Sequence, residues 1–177
     1  MAVSCHDSSV GTEQVGPDDI DFSLALWRED GRWAASALPT RLGLSMESLV
    51  AGLRQLPGEG GVWGVVGVMA DSDDLADFFV VVRQAGQNSR VLLSNAGARL
   101  DWSLAVEAGA LIGLADDDED MDDFEPVGDL DLFVDVGLDA DDLAIVCEDD
   151  SLYPDEQIMA IARRIGAGPA VSGVLGP

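Results

Sequence analysis

An acidic run at residues 115–125, ADDDEDMDDFE, is the feature that most constrains what this chain can fold into. Eight of its eleven side chains are carboxylates, and no basic residue lies among them. A run of like charges repels itself and cannot enter an apolar core, so it must lie in solvent. The run therefore divides the chain, and we expect an acidic linker over residues 115–129.

The sequence on either side of the run has the apolar content of a folded protein. Hydrophobic residues make up 47% of the 177 residues, which is enough for a sizeable core. We expect an α+β domain at residues 20–114 and a small C-terminal helical unit at 130–168. Residues 1–19 are rich in polar residues and glycine, which predicts a disordered N-terminal lead, and residues 169–177 are predicted to be a flexible tail.

The region 20–114 carries the periodicities of five strands and two helices. IDFSLALW alternates with Ile20, Phe22, Leu24 and Leu26 on one face, and the following Asp-Gly pair is a strong hairpin signal. Apolar runs separated by short turns predict an antiparallel meander further along. The predicted order is β-β-α-β-β-β-α. We therefore expect a five-stranded antiparallel sheet with the two helices covering its faces, similar to profilin-like and roadblock-like layouts.

The region 130–168 is predicted to be helical, with its clearest helix near the end. Pro154 fits the first turn of that helix, with Asp155 and Glu156 at its positive end. Arg163 and Arg164 fall near its negative end. If this unit binds a partner, we expect the surface to comprise Tyr153, Pro154, Asp155, Glu156, Arg163 and Arg164. Helix capping and dipole complementation explain the same residues without a partner, and such a pattern more commonly has that cause.

The charge balance excludes several classes of partner. The formal net charge is −25, all nine basic residues are Arg, and none lies between Arg99 and Arg163. Phosphate contacts need basic residues, so we expect no direct nucleic-acid binding and no attraction to an anionic membrane. A basic protein would instead be attracted. The longest apolar run, residues 62–70, is too short to span a bilayer, and the start lacks the apolar core of a signal peptide, so a cytoplasmic protein is expected.

The residues that usually perform chemistry do not form a known pattern. No register of the acidic run places Gly at the sixth position and Glu at the twelfth, as a calcium loop requires. His6 is the sole histidine, and Cys5 and Cys147 are far apart, so neither a catalytic triad nor a disulfide framework is predicted. Cys147 is expected to be a buried structural residue. The chain has no Lys and hence no phosphate loop, and we predict no cofactor, metal or catalytic residue.

Two stretches resemble a known family. DFFVVVRQAGQNSRVLLSNAGA, then an acidic stretch, then GDLDLFVDVGLDADDLAIVCEDDSLYPDEQIMAIARRIG is similar to the tRNA adenosine deaminase-associated proteins, small acidic proteins of high-GC Gram-positive bacteria. The resemblance covers roughly residues 20 to 168, and LYPDEQIMAIARRIG is its most specific part. It implies a link to wobble adenosine editing. The tail departs from the family, which ends in a short aromatic-containing segment.

The resemblance does not make this chain a deaminase. A zinc deaminase needs His-x-Glu and Pro-Cys-x-x-Cys, and neither motif is present. The leading hypothesis is therefore a non-catalytic accessory protein that binds a basic partner, which the resemblance suggests is a tRNA adenosine deaminase. The alternative is an acidic mimic of nucleic acid that inhibits a nucleic-acid-binding enzyme. An enzyme that uses carboxylates alone with a divalent metal ranks third, and the oligomeric state stays open.

Overall fold

An antiparallel sheet forms the centre of the molecule. A computed structural model describes residues 19–56, 61–69, 77–113, 125–149 and 151–175. Neighbouring strands are antiparallel throughout, in the spatial order β2-β1-β3-β4-β5-β6. The strands are β1 (Ile20–Glu29), β2 (Arg32–Ala37), β3 (Val62–Val68), β4 (Phe78–Ala85), β5 (Asn88–Leu93) and β6 (Val127–Gly128). The α-helices are α1 (Met46–Leu53), α2 (Ser103–Ile112), α3 (Ala140–Glu148), α4 (Pro154–Ile165) and α5 (Gly168–Leu175).

The β1–β2 hairpin forms where the Asp-Gly pair predicts it. Asp30 and Gly31 both have positive φ, 53° and 76°, and Glu29 pairs with Arg32 across them. Two positive φ values give a turn whose twist matches that of the flanking strands. The predicted single face of β1 is wrong at its start, because a register shift between Ile20 and Phe22 sends Ile20 to the opposite face of the sheet.

Helices α1 and α2 cover the same face of the sheet, which corrects the expectation that they cover opposite faces. Leu49 and Leu53 of α1 and Leu104 of α2 share one apolar cluster with the alternate residues of β3 and β4 that point to this side, such as Val66. Close packing depends on Gly64, because a Cβ there would lie 2.7 Å from Leu53 Cδ1. Helical periodicity identifies an apolar face but does not say on which side of a sheet the helix packs.

The opposite face is covered by the C-terminal helices. Trp63 and Phe79 point to this side and pack with Leu132 and Phe133, which precede α3, and with the buried residues of α3, α4 and α5. The region 130–168 thus shares one apolar core with the sheet. The predicted α+β class and antiparallel sheet are confirmed, while the division into domains stays a proposal.

Two further predictions are corrected at the C-terminal side. The sheet has six strands, not five, because β6 lies within the predicted acidic linker and pairs with the end of β5. Gly128 makes this possible, since its φ is 110° and a Cβ there would lie 2.3 Å from Val91 O. The predicted flexible tail instead contains α5, in which Val171 is buried against the same core. Tertiary packing outweighs the low helix propensity of its glycines.

Some predictions fall outside the described residues. The lead at residues 1–19 overlaps them only at Asp19, and most of the acidic run, residues 115–124, is not described. At the end of the run, Glu125 O accepts a hydrogen bond of 2.9 Å from Ala96 N. This bond joins the end of the run to the 3-10 helix at Ala96–Leu100.

Candidate interaction site

A cluster of polar contacts fixes the C-terminal region on the sheet. Arg83 of β4 is buried, and its guanidinium donates two 2.8 Å hydrogen bonds to the Asp135 carboxylate. Arg83 also donates to Leu132 O at 3.1 Å, as does Trp63 Nε1. Phe133 stacks on Trp63 at 5.8 Å between ring centroids. Hydrogen bonds are directional, so these contacts fix the segment before α3 on the sheet.

Arg90 of β5 extends the same arrangement. It is the cross-strand partner of Arg83, and its guanidinium binds the carboxylates of Asp131 and Asp129. We refer to Arg83, Arg90, Asp129, Asp131 and Asp135 as the arginine clasp. The clasp uses two of the nine arginines of the chain and holds three carboxylates of the segment before α3 on the sheet.

Helices α3 and α4 meet at a tight turn that Gln157 holds in place. The buried Gln157 side chain donates from Nε2 to Val146 O at 3.0 Å, Cys147 O at 3.2 Å and Asp149 O at 3.3 Å. Carbonyls at the last turn of a helix have no partner within the helix. The amide of Gln157 satisfies those of α3 and thereby joins its end to the start of α4.

The turn carries an unusual concentration of negative charge, to which Asp21 of β1 contributes. Burial and the neighbouring Asp155 carboxylate raise the pKa of Asp21. Glu148 and Asp149 lie at the negative end of α3, where basic residues are favourable and acidic ones are not. We name Asp21, Glu148, Asp149, Tyr153, Asp155 and Glu156 the acidic corner. Two of its features are unfavourable within the isolated chain: the Asp21–Asp155 repulsion, and Glu148 at the negative end of α3. Asp149 differs, because hydrogen bonds from Ser151 lower the pKa of its carboxyl group.

Apolar side chains are exposed at and near the acidic corner. Tyr153 is 60% exposed and leads into α4, where its backbone N donates to Glu156 Oε2 at 2.8 Å. Ile145 of α3 is 63% exposed and lies one turn before Glu148. Both side chains are therefore accessible to a partner, although single exposed apolar residues are common on protein surfaces, and Leu100 is 72% exposed.

The structure separates the predicted partner-binding residues into two groups. Tyr153, Asp155 and Glu156 lie in the acidic corner, and Pro154 is buried in the first turn of α4. Arg163 and Arg164 are exposed at the other end of α4. At 1.5 Å of rise per residue the two ends are about 15 Å apart, so they do not form one pocket.

Sequence reasoning missed several residues that shape this site. Asp21 lies far from Asp155 in the chain, and nothing in a single sequence signals their proximity. Gln157 carried a signal, because a polar residue interrupts the apolar stripe of α4 next to the end of α3. Ile145 also carried a sequence signal, since it is an apolar residue that lies off the buried face formed by Leu143 and Val146 in its helix.

Chemistry at this site would need metal ligands, a reactive thiol or a polar cleft. They contain no group of three or more His, Cys, Asp or Glu placed to hold a metal ion. Cys147 is buried as predicted, and its burial, with nearby Glu148, raises the pKa of the thiol to about 12, so it stays protonated at neutral pH. A cleft of about 320 Å³ lies between the end of α1 and the β4–β5 turn. Among the described residues, Arg54 and Gln84 are the polar side chains that line it.

Comparison with known proteins identifies the family. A family model described as Rv3753c-like tRNA adenosine deaminase-associated protein matches residues 21–168. The chain belongs to this family. Protein Rv3753c of Mycobacterium tuberculosis (strain ATCC 25618 / H37Rv) is 37% identical over 156 residues, which cover 87% of this chain and 87% of that protein. No solved structure matches the chain, so the profilin-like and roadblock-like layouts remain an expectation.

The matched range shows which parts of the molecule the family shares. Residues 21–168 include the arginine clasp, the acidic corner and every residue of the sheet apart from Ile20. The match ends at the first residue of α5. Within the described ranges, no helix is long and apolar enough to cross a membrane.

Proposed function

We propose that this chain is a non-catalytic accessory protein that binds a basic partner, a tRNA adenosine deaminase of the same cell, through the acidic corner. The family name associates these proteins with that enzyme, which motivates the choice of partner. The observation that carries the choice of surface is the unfavourable electrostatics of the corner. Gln157 holds the turn between α3 and α4 and so keeps like charges together there, and a basic partner would relieve their repulsion.

Two features of the corner support protein binding over simple solvation. At the positive end of α4, Asp155 and Glu156 have an intrahelical reason to be acidic, whereas Glu148 at the negative end of α3 has none. No described residue forms a salt bridge with Glu148, Asp155 or Glu156. No described cation therefore neutralises these three charges, and Tyr153 adds a rigid amphipathic contact of the kind enriched in interfaces.

The absence of deaminase motifs fits the same proposal. The chain lacks His-x-Glu and Pro-Cys-x-x-Cys, so it would supply surface rather than chemistry. We propose that it acts in the cytoplasm, where tRNA is edited. Its carboxylates would compete with tRNA for the basic surface of the enzyme, and the complex would weaken as salt rises.

Titration calorimetry with the purified deaminase at low and moderate salt tests the proposal. Binding should be detectable at low salt and weaker at moderate salt, with one chain per enzyme subunit. No binding at either salt concentration would contradict it. Deletion of residues 115–125 separates the accessory role from nucleic-acid mimicry by the acidic run, because binding through the corner survives the deletion and mimicry by the run does not.

Glu148→Gln is the single variant that tests binding through the acidic corner most directly, and Glu47→Gln is its control. Both remove one carboxylate, but Glu47 lies in the first turn of α1 on the other face of the sheet. We expect Glu148→Gln to weaken binding several-fold and to raise the free energy of unfolding by a few tenths of a kcal/mol, because it removes an acid from the negative end of α3. Glu47→Gln should leave binding unchanged. A purely structural role for Glu148 predicts no loss of binding.

A further inference from the structure

The outer edge of β2 carries backbone groups that no described residue pairs with. Glu29 and Arg32 flank a two-residue turn and therefore form a hydrogen-bonded pair. Alternation along the antiparallel ladder then turns the N–H and C=O of Trp33, Ala35 and Ala37 away from β1. The same alternation continues past the end of β2, because the N–H of Leu38, the residue after Ala37, points toward β1 and donates to Ser23 O at 3.0 Å.

These outward groups stay unpaired within the described residues. Apart from a long contact of 3.4 Å from Ser36 Oγ to Ala37 O, no described residue hydrogen-bonds to them. Natural edge strands are usually blunted by a charge, a proline, a bulge or a covering element. Between Trp33 and Ala37 the sequence WAASA has no charge or proline, and its small side chains allow another strand to approach closely. At the other edge of the sheet, β6 is only two residues long.

The described stretches that form this edge also contain few carboxylates. Residues 31–46 and 157–177 contain no Asp or Glu, although the chain has 34 of them. The two stretches come together in the fold, because α5, which has no charged residue, packs on β2. Trp33 Nε1 also donates to Ile165 O at 3.1 Å. Among the described residues, a second chain of net charge −25 can therefore approach these two stretches without placing their carboxylates against its own.

We propose that two copies of this chain pair through their β2 edges to form a symmetric dimer. A two-fold antiparallel pairing centred on Ala35 sets Ala35 against its own equivalent and Trp33 against Ala37 of the other copy. In this register all outward groups form hydrogen-bonded pairs, and the two sheets become continuous. It also brings the hairpin tip, with Glu29 and Asp30, beside the stretch that follows β2 in the other copy, and that stretch carries Arg41.

Salt dependence separates this contact from binding of a basic partner. Long-range repulsion between two chains of net charge −25 opposes the dimer, and salt screens it, with a Debye length of about 10 Å at 0.1 M and about 3 Å at 1 M. The dimer should therefore become tighter as salt rises, whereas the complex with a basic partner becomes weaker. The dimer does not depend on the proposed function, and either can fail without the other.

Sedimentation velocity of the full chain at about 0.1 M and about 1 M salt tests the proposal, with Ser36→Asp and Ser36→Asn as a matched pair. Ser36 is exposed in the monomer, and the two substitutions have nearly the same size but differ in charge. We expect a species of twice 18.6 kDa that is more populated at high salt, weakened about tenfold or more by Ser36→Asp and retained by Ser36→Asn.

Amide hydrogen exchange provides a residue-level readout on the same samples. The amides of Trp33, Ala35 and Ala37 should become protected as the protein concentration rises, while Ala34 and Ser36, already bonded to β1, should change little. A monomer under every condition would overturn the proposal. A dimer that Ser36→Asp and Ser36→Asn affect equally, or one without protection at the three outward amides, would overturn it as well.

Discussion

The two faces of the sheet are held by different physical means. Helices α1 and α2 contact the sheet mainly through apolar side chains. The opposite face is covered by the segment that follows the acidic run. There the arginine clasp and the indole N–H groups of Trp33 and Trp63 add polar contacts to the apolar packing. Apolar burial drives association without fixing orientation, whereas buried polar contacts tolerate one arrangement. The acidic corner lies on the side that is fixed by polar contacts.

The largest expected effects come from two neighbouring residues that test both faces at once. Phe78 and Phe79 are adjacent on β4, fully buried and directed to opposite faces. Each substitution by Ala should lower the free energy of unfolding by about 3–5 kcal/mol, in a single cooperative urea transition. A loss below about 1 kcal/mol for Phe79→Ala alone would mean that the C-terminal helices add little to the stability of the sheet.

The next largest expected loss in the free energy of unfolding comes from a change in the arginine clasp. Arg83→Met keeps an apolar stem over Trp63 but removes the donors to Leu132 O and to the Asp135 carboxylate. We expect a loss of about 2 kcal/mol, since the Asp135 side chain is 56% exposed and can be solvated when its partner is gone. Arg54→Met, which changes an exposed arginine, should have little effect in the same denaturation experiment. Equal effects of the two variants would contradict a specific role for the clasp.

Acid titration should weaken the same side of the molecule selectively. The hydrogen bonds and charge of Arg83 lower the pKa of Asp135, so the folded-state pKa lies below its unfolded value. The stabilisation is therefore present above the unfolded pKa, near 3.8, and is lost as pH falls through the folded pKa. Asp135→Asn should be less stable than the wild type at neutral pH, and the difference should shrink below about pH 4. A difference that does not depend on pH would point to packing rather than charge.

The smallest expected effect has the opposite sign. Burial and Asp155 raise the pKa of Asp21 above 3.8, so its ionised form is disfavoured in the folded chain. That cost is present at neutral pH and disappears as pH falls through the folded pKa. Asp21→Asn should therefore stabilise the isolated protein slightly at neutral pH, and the gain should vanish in acid. Thermal unfolding at pH 7 and pH 3 measures it, and destabilisation at pH 7 would mean that Asp21 has a favourable partner.

Local patterns predicted most of the sheet and its first two helices. The Asp-Gly turn and Pro154 at the start of α4 depend on neighbours in the chain, and each is found where the sequence predicts it. The two-residue strand β6 is too short to have a periodicity. The face on which α1 and α2 pack depends on the path of the chain in space, which the apolar pattern of a helix does not specify.

The candidate site was only partly predictable for the same reason. The Tyr153–Glu156 segment was chosen from its local charge and its proline, and it does lie at an exposed turn. Asp21 and Gln157 belong to the site through contacts made by the tertiary fold. The sequence carries no signal of the contact between Arg83 and Asp135, because the two residues are more than fifty positions apart in the chain.

Amide chemical-shift mapping tests the central claim, that the acidic corner is the surface that binds a basic partner. The isotope-labelled chain would be titrated with the tRNA adenosine deaminase of the same cell at low salt. The largest shifts are predicted at Glu148, Asp149 and the Tyr153–Gln157 segment, with smaller ones at Asp21. Shifts confined to the face covered by α1 and α2, or no shifts at all, would contradict the claim.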